Sequence, residues 1–285
     1  MKKYPIKKCN IDFEFEESLQ NAKGTRRKRL VRDLKDSSKA FFKYQGDNYI
    51  TSELCSEKIC YEIAKVLDYD CAKIELAKDE NGEIGVLNYI FIKEGISSHT
   101  DIGTYLNPNG RPQKDFYTLD NIKVFLDSIN MNLWFGFIKI MIFDALVGEQ
   151  DRHEENWGIS YYDGEYRISP LYDNGCNLLD KFKDESYAKK FYDNEEKFDQ
   201  FINRSHAQIR KADSDEKYRH FELIKKLNEE YKDVVQNELK KLEKLNDKTI
   251  KRIVDKVPDE MLTEKHKEYI IKYLKKRRDI LLSIK

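Results

Sequence analysis

The period of the apolar positions changes along this chain, from two in the first third to between three and four in the rest. Residues 29–32 and 40–44 alternate apolar and polar around the polar stretch 33–39, which predicts a β-hairpin. With Thr51 or Ser52 as cap, Leu54, Ile59, Ile63 and Leu67 recur at spacings of five, four and four and predict a helix ending near Asp68. Runs at 72–77 and 84–92 flank Asn81-Gly82, a turn pair that predicts a second hairpin. The order so far is β-β-α-β-β. A polar helix over 119–130 and an apolar helix from Leu133 follow. In the tail Ile224, Leu227, Tyr231, Val235, Leu239, Leu242 and Leu245 predict one long amphipathic helix. Pro258 suits the first turn of a final helix carrying Tyr269, Ile270, Tyr273, Leu274 and Leu281, on which Lys275-Lys276-Arg277-Arg278 reads as a solvated face. Two prolines, two asparagines and a glycine make 107–112 the strongest boundary signal, and the polar, aromatic-studded stretch 181–215 reads equally as a helix pair or a loop. The pattern predicts a sheet-bearing front and a helical back, an α+β class.

Composition narrows the function classes. Among 285 residues, 18 Tyr and 15 Phe against 12 Gly and 5 Pro supply material for a packed core. Lys and Arg number 52, as do Asp and Glu, and this balance argues against direct nucleic-acid binding, which calls for a basic excess. Cys9, Cys55, Cys60, Cys71 and Cys176 are scattered, with no paired spacing for zinc or a disulfide framework, so a reducing cytoplasm is the expected setting. The basic start lacks the apolar stretch of a signal peptide. The most apolar segment, 133–147, is interrupted by Lys139 and Asp144 and is too short to span a bilayer, so it reads as a buried helix and no membrane partner is expected.

The candidate chemistry concentrates between Gly148 and Asn174. Asp163-Gly164 is a favoured two-residue hairpin turn, with 159–162 and 165–168 as its strands. Asn156 stands seven residues before Asp163 and Asp173 nine after Gly164, so the hairpin carries both to one open end, and Asp151 joins them from the preceding loop. Hard oxygen ligands for magnesium and a carboxylate that takes or orients a hydroxyl proton are what phosphoryl transfer from ATP requires. Asp173 and Asn156 fit the metal role and Asp151 the base. Each alone would more often cap a turn or a helix; their convergence is what raises them. His153 suits either a donor near the transferring phosphate or a structural hydrogen bond.

Asp151-Arg152-His153-x-x-Asn156 followed by Ser169-Pro170-Leu171-Tyr172-Asp173 resembles the catalytic and metal-binding segments of HipA-like serine/threonine kinases. The first motif is also similar to phosphoinositide-kinase-like loops; the second favours HipA. The resemblance implies a bilobal protein-kinase-like fold, with a small β-rich N-lobe over 1–95, a hinge near Ile92 and a mostly helical C-lobe over 96–285. It implies ATP and Mg2+ as cofactors, with Lys43 on the phosphates and a helix glutamate, Glu57 or Glu53, pairing with it. The stretch 21–28, with Gly24, Thr25 and Lys28, takes the place of the phosphate-covering loop, and the backbone near Glu94 would meet adenine. The family's loop serine has no counterpart at Asn21 or Ala22, where Ser18 and Thr25 are the nearby hydroxyls, and Glu155 stands where the family often has a basic residue. Because the loop falls close to the start of the sequence, a short stand-alone member is expected. By resemblance the partners are a protein substrate, such as a translation component, and a separately encoded antitoxin, in a bacterial growth-arrest system. Two rivals stay open: a lipid or small-molecule kinase of this fold, and a catalytically inactive interaction module.

Overall fold

The structure is a computed structural model. It describes residues 2–15, 27–45, 52–93, 95–110, 112–175, 177, 189, 191–212 and 214–285. Six strands form the first layer: β1 (Ile6–Lys8), β2 (Phe13–Phe15), β3 (Lys28–Asp33), β4 (Lys39–Tyr44), β5 (Ile74–Lys78) and β6 (Ile84–Tyr89). Their order in the sheet is β1-β5-β6-β4-β3-β2, antiparallel except for the β1/β5 pair. The two expected hairpins are present as β3–β4 and β5–β6, and the one-turn helix α1 (Cys9–Asp12) joins the two short strands that periodicity did not reveal. Strands of three residues are too short to show an alternation.

Alternation along β4 decides which side chains face which layer. Ala40, Phe42 and Tyr44 enter a small apolar cluster with Phe13, Val31, Leu87 and Tyr89, so Phe41 and Lys43 take the opposite face. On that face lies α2 (Ser52–Leu67), whose Leu54, Ile59, Ile63 and Leu67 pack with Ile74, Leu76 and Val86.

The remaining chain builds mainly helices around α5 (Met131–Val147), preceded by α3 (Ile102–Leu106) and α4 (Leu119–Ile129). From Ile140 to Val147 every residue of α5 is buried, as expected of a helix apolar all round. Gly148 closes it in the left-handed conformation (φ 75°), where a Cβ would collide with the hydroxyl of Tyr273. A three-stranded sheet sets β8 (Gly158–Tyr162) between β7 (Ser97–Asp101) and β9 (Glu165–Ile168), and the β8–β9 turn has positive φ at both Asp163 (51°) and Gly164 (82°). A further hairpin, β10 (His206–Arg210) with β11 (Lys217–Arg219), follows the helix Glu195–Arg204. No described helix is long and apolar enough to cross a membrane.

Four expectations change. The boundary signal at 107–112 falls within one unit, because β7 before it pairs with β8 after it, and its residues Asn107–Gly110 form a turn. The long tail helix is three pieces, His220–Glu230, Lys232–Lys241 and a 3-10 turn at Leu242–Lys244; the first break is at Tyr231 (φ −130°), whose ring packs edge-on against Trp134 and Phe135. Pro258 begins a tight turn that accepts bonds from the N–H groups of Met261 and Leu262, and the last helix, Glu264–Leu282, starts later with Thr263 as its cap. The basic cluster on that helix is not a solvated face. Arg277 is fully buried, Arg278 donates to Leu245 O and Asp247, Lys275 pairs with Asp247 and Lys276 with Asp199. Of the stretch 181–215, the described part holds the helix Glu195–Arg204 and β10.

Candidate active site

The loop that leaves Gly148 is organised by a side chain that pattern reading passed over. Arg152, 2% exposed, places its guanidinium against Asp144 of α5, with Nε to Oδ2 at 3.1 Å and Nη2 to Oδ1 at 2.9 Å. Its Nη1 donates to the carbonyls of Asn156 (3.0 Å) and Tyr172 (2.8 Å), and Nη2 to Oδ1 of Asn174 (2.5 Å). One buried cation thus stitches the 151–156 loop to the 172–174 segment. Burial works against its charge, but the carboxylate of Asp144 outweighs that and holds the guanidinium protonated. The Arg152 carbonyl accepts from the buried Tyr117 hydroxyl at 2.9 Å, which in turn accepts from Trp157 Nε1 at 2.7 Å.

Within the loop, Asn156 donates through Nδ2 to the carbonyl of Asp151 at 2.7 Å, so the amide is oriented by the backbone of the candidate base. His153 accepts the N–H of Glu155 at its Nδ1 (3.2 Å), a local structural bond. Across from the loop, the 169–173 stretch is tied to the chain after α2: Ala72 N–H donates to Leu171 O and Leu171 N–H to Asp70 O, both at 2.8 Å. Asp173 follows with φ 55°, a left-handed conformation that Asp tolerates better than most side chains and that clusters at functional sites.

Lys43 joins this segment to the sheet. Its Nζ donates to Glu57 Oε1 at 3.0 Å and to Asp173 Oδ1 at 2.6 Å, bringing together residues 130 positions apart. Glu57, not Glu53, is the partner in this structure, although both glutamates are buried on the same face of α2. Burial opposes the Lys43 charge, and the two carboxylates overcome it, so its pKa lies above the usual lysine value. Lys28 sits directly opposite Lys43 in the β3–β4 register, which puts both ammonium groups on one face. Burial, then the neighbouring Lys43, lowers the Lys28 pKa while Asp173 opposes the change. Gly24, Thr25 and Glu94 lie outside the described residues.

The donor set suits a magnesium nucleotide. Asn156 and Asp173 offer hard oxygens on two segments that share the Arg152 clamp, and two lysines face the Asp173 side. The residues that pattern reading missed are those that hold this set: Asp144, Arg152 and Asn174. Asp144 carried a signal all the same, since a carboxylate inside an otherwise apolar helix needs a buried partner.

A sheet backed by α2 and joined to a helical region through a lysine–glutamate–aspartate cluster defines the bilobal protein-kinase-like fold. The chain belongs to the HipA-like C-terminal domain family, which it matches over residues 21–265. It is 27% identical over 150 residues to the serine/threonine-protein kinase CtkA of Helicobacter pylori, a match spanning 52% of this chain and 45% of that protein's length. The crystal structure of the H. pylori proinflammatory kinase CtkA superposes with a TM-score of 0.80 over 98% of both chains at 20% identity. A chain from the Shewanella oneidensis MR-1 toxin–antitoxin complex of HipA, HipB and operator DNA gives 0.58, covering 92% of this chain and 66% of that one at 12% identity. These two superpositions speak for the fold, and the family match places the chain among proteins with a HipA-like C-terminal domain.

Proposed function

We propose that this protein is an ATP-dependent serine/threonine protein kinase, with residues 1–95 as the N-lobe and 96–285 as the C-lobe. The observation that carries the reading is Lys43 held between Glu57 of α2 and Asp173. Such an ammonium is positioned to offset phosphate charge, and Lys28 beside it adds a second cation. Asp151 takes the proton of the attacking hydroxyl, on a loop whose backbone is fixed by Arg152, Tyr117 and Asn156. His153 lies two residues on, within the same loop. Asn156 and Asp173 would hold Mg2+, which when bound neutralises charge on the nucleotide phosphates. Gly24, Thr25 and the backbone at Glu94 complete the nucleotide contacts in this reading.

The same reading takes a cytoplasmic protein acceptor, such as a translation component, as substrate, with growth arrest as the outcome and a separately encoded antitoxin as restraint. Its support is the family membership together with the similarity to chains from CtkA and the HipA–HipB complex. The test is to incubate the purified chain with labelled ATP, magnesium and a bacterial lysate and to identify the labelled product. Phosphoserine or phosphothreonine on a discrete polypeptide, lost in both Asp151→Ala and Asp173→Ala, is expected. Label in lipid, or label that survives both substitutions, would overturn the reading.

A further inference from the structure

Glu149 is a buried carboxyl, 1% exposed, that the chemistry above leaves unused. All three of its oxygens accept hydrogen bonds, each from a different part of the molecule. Oε1 accepts the backbone N–H of Asp151 at 2.8 Å, Oε2 accepts Nδ2 of Asn177 at 3.1 Å, and the carbonyl is 2.8 Å from Nε2 of His220.

Two of these contacts lead outwards. Asn177 also donates to Asn174 O at 2.7 Å, its own Oδ1 accepts from Cys60 Sγ and its carbonyl from Ser56 Oγ, each at 3.5 Å. Ser56 and Cys60 stand on α2 beside Glu57, so the amide joins the Lys43-bearing cluster to the loop. On the other side a carbonyl only accepts, so His220 Nε2 carries the proton. Arg277 Nη2 lies 3.0 Å from Nδ1, and a guanidinium only donates, so Nδ1 is an acceptor and the imidazole is neutral. Arg277 is anchored in turn to Ala145 O of α5 at 2.6 Å.

We infer that Glu149 is the positioning residue of this active site: it fixes the backbone of Asp151 and, through Asn177, locks the catalytic loop to α2. The inference rests on the kinase reading and adds to it a physical link between the helix that holds Lys43 and the base. What the link requires is two acceptor oxygens held at the reach of a glutamate side chain, since both carboxyl contacts are acceptor contacts. Burial, with Asp144 adding and Arg152, the Asp151 N–H and Asn177 opposing, pushes the carboxyl up to about 8.

The test uses the full chain with Glu149→Gln, Glu149→Asp, Glu149→Ala and Asn177→Ala, the lysate acceptor identified with the wild type, ADP binding by calorimetry, and thermal melting. Asp keeps both acceptor oxygens but is a methylene too short to meet both donors; Gln keeps the length. Glu149→Asp and Glu149→Ala are expected to lose about ten- to a hundredfold in kcat, the scale of a misplacement near 1 Å, with ADP affinity and KM for ATP within about twofold of wild type. Glu149→Gln should stay within about fivefold, its loss coming from the Asn177 contact, and Asn177→Ala should fall by a similar factor. If Glu149→Ala fails to fold, the Gln and Asp pair still decides. Glu149→Asp at the wild-type rate, or Glu149→Gln falling as far as Glu149→Asp, would overturn the inference. An inactive Asp151→Ala alongside a fully active Glu149→Asp removes the positioning role alone, whereas an active Asp151→Ala removes the kinase reading beneath it.

Discussion

Lys43 and Arg152 are both cations beside carboxylates, yet they do opposite work. Lys43 keeps a partner at the surface: the Asp173 side chain is 48% exposed, while Glu57 is 2% exposed. Around Arg152, by contrast, both sides of the ion pair are 2% exposed, and the remaining donors are spent on Asn156 O, Tyr172 O and Asn174. A cation with an accessible partner can exchange that contact for a phosphate. A cation sealed on every side can only define geometry, and replacing its network disturbs the fold before it disturbs chemistry. A basic residue inside a sequence motif can therefore set geometry without reaching the solvent.

Three measurements test this contrast. Asp173→Asn keeps a residue that tolerates positive φ and removes the charge from a half-exposed position. Phosphoryl transfer should fall by about 10²–10³-fold while the melting temperature hardly moves; transfer at the wild-type rate would remove Asp173 from the chemistry. Arg152→Met should do the reverse in kind, costing about 3–5 kcal/mol in urea unfolding because it leaves Asp144 buried and unpaired. The double variant Asp144→Leu with Arg152→Met should be less damaging than Arg152→Met alone, and a double variant that is worse would refute the idea of a sealed pair.

The third measurement is one of pH. The Glu149 carboxyl is raised from about 4.5 to about 8, burial being the main cause. The folded chain therefore holds a proton that the unfolded chain releases at lower pH. The associated stability is fully present below about pH 4.5 and is lost as pH rises towards about 8. Calorimetric melting across that window should show wild type losing a few degrees relative to Glu149→Gln, then running parallel to it above. A constant difference at every pH would mean that the carboxyl is not perturbed.

Legibility tracked how local each signal was. The β3–β4 and β5–β6 hairpins, α2 and the Asp163-Gly164 turn could be read because alternation, helical spacing and a turn dipeptide are properties of a few adjacent residues. The strands β1, β2 and β7 went unseen: each is three to five residues long and owes its form to a partner distant in sequence. The tail misled in the same way, since its apolar spacing continues through Tyr231 while the backbone there turns against Trp134.

Within the candidate site, Asp151, Asn156 and Asp173 were visible as residue types suited to phosphoryl transfer at a workable spacing, and the sheet before a helix before the loop ordered Lys43 and Glu57. Residue patterning alone carries the α+β class, the motifs, and the residue kinds able to hold phosphate and metal. Packing in three dimensions is what selects Glu57 over Glu53 for Lys43, buries Arg277, and sets Arg152 and Glu149 against the loop. The reason is that a charged residue looks the same in sequence whether solvated or buried. Its role depends on which distant carbonyls and carboxylates the fold brings within about 3 Å of it.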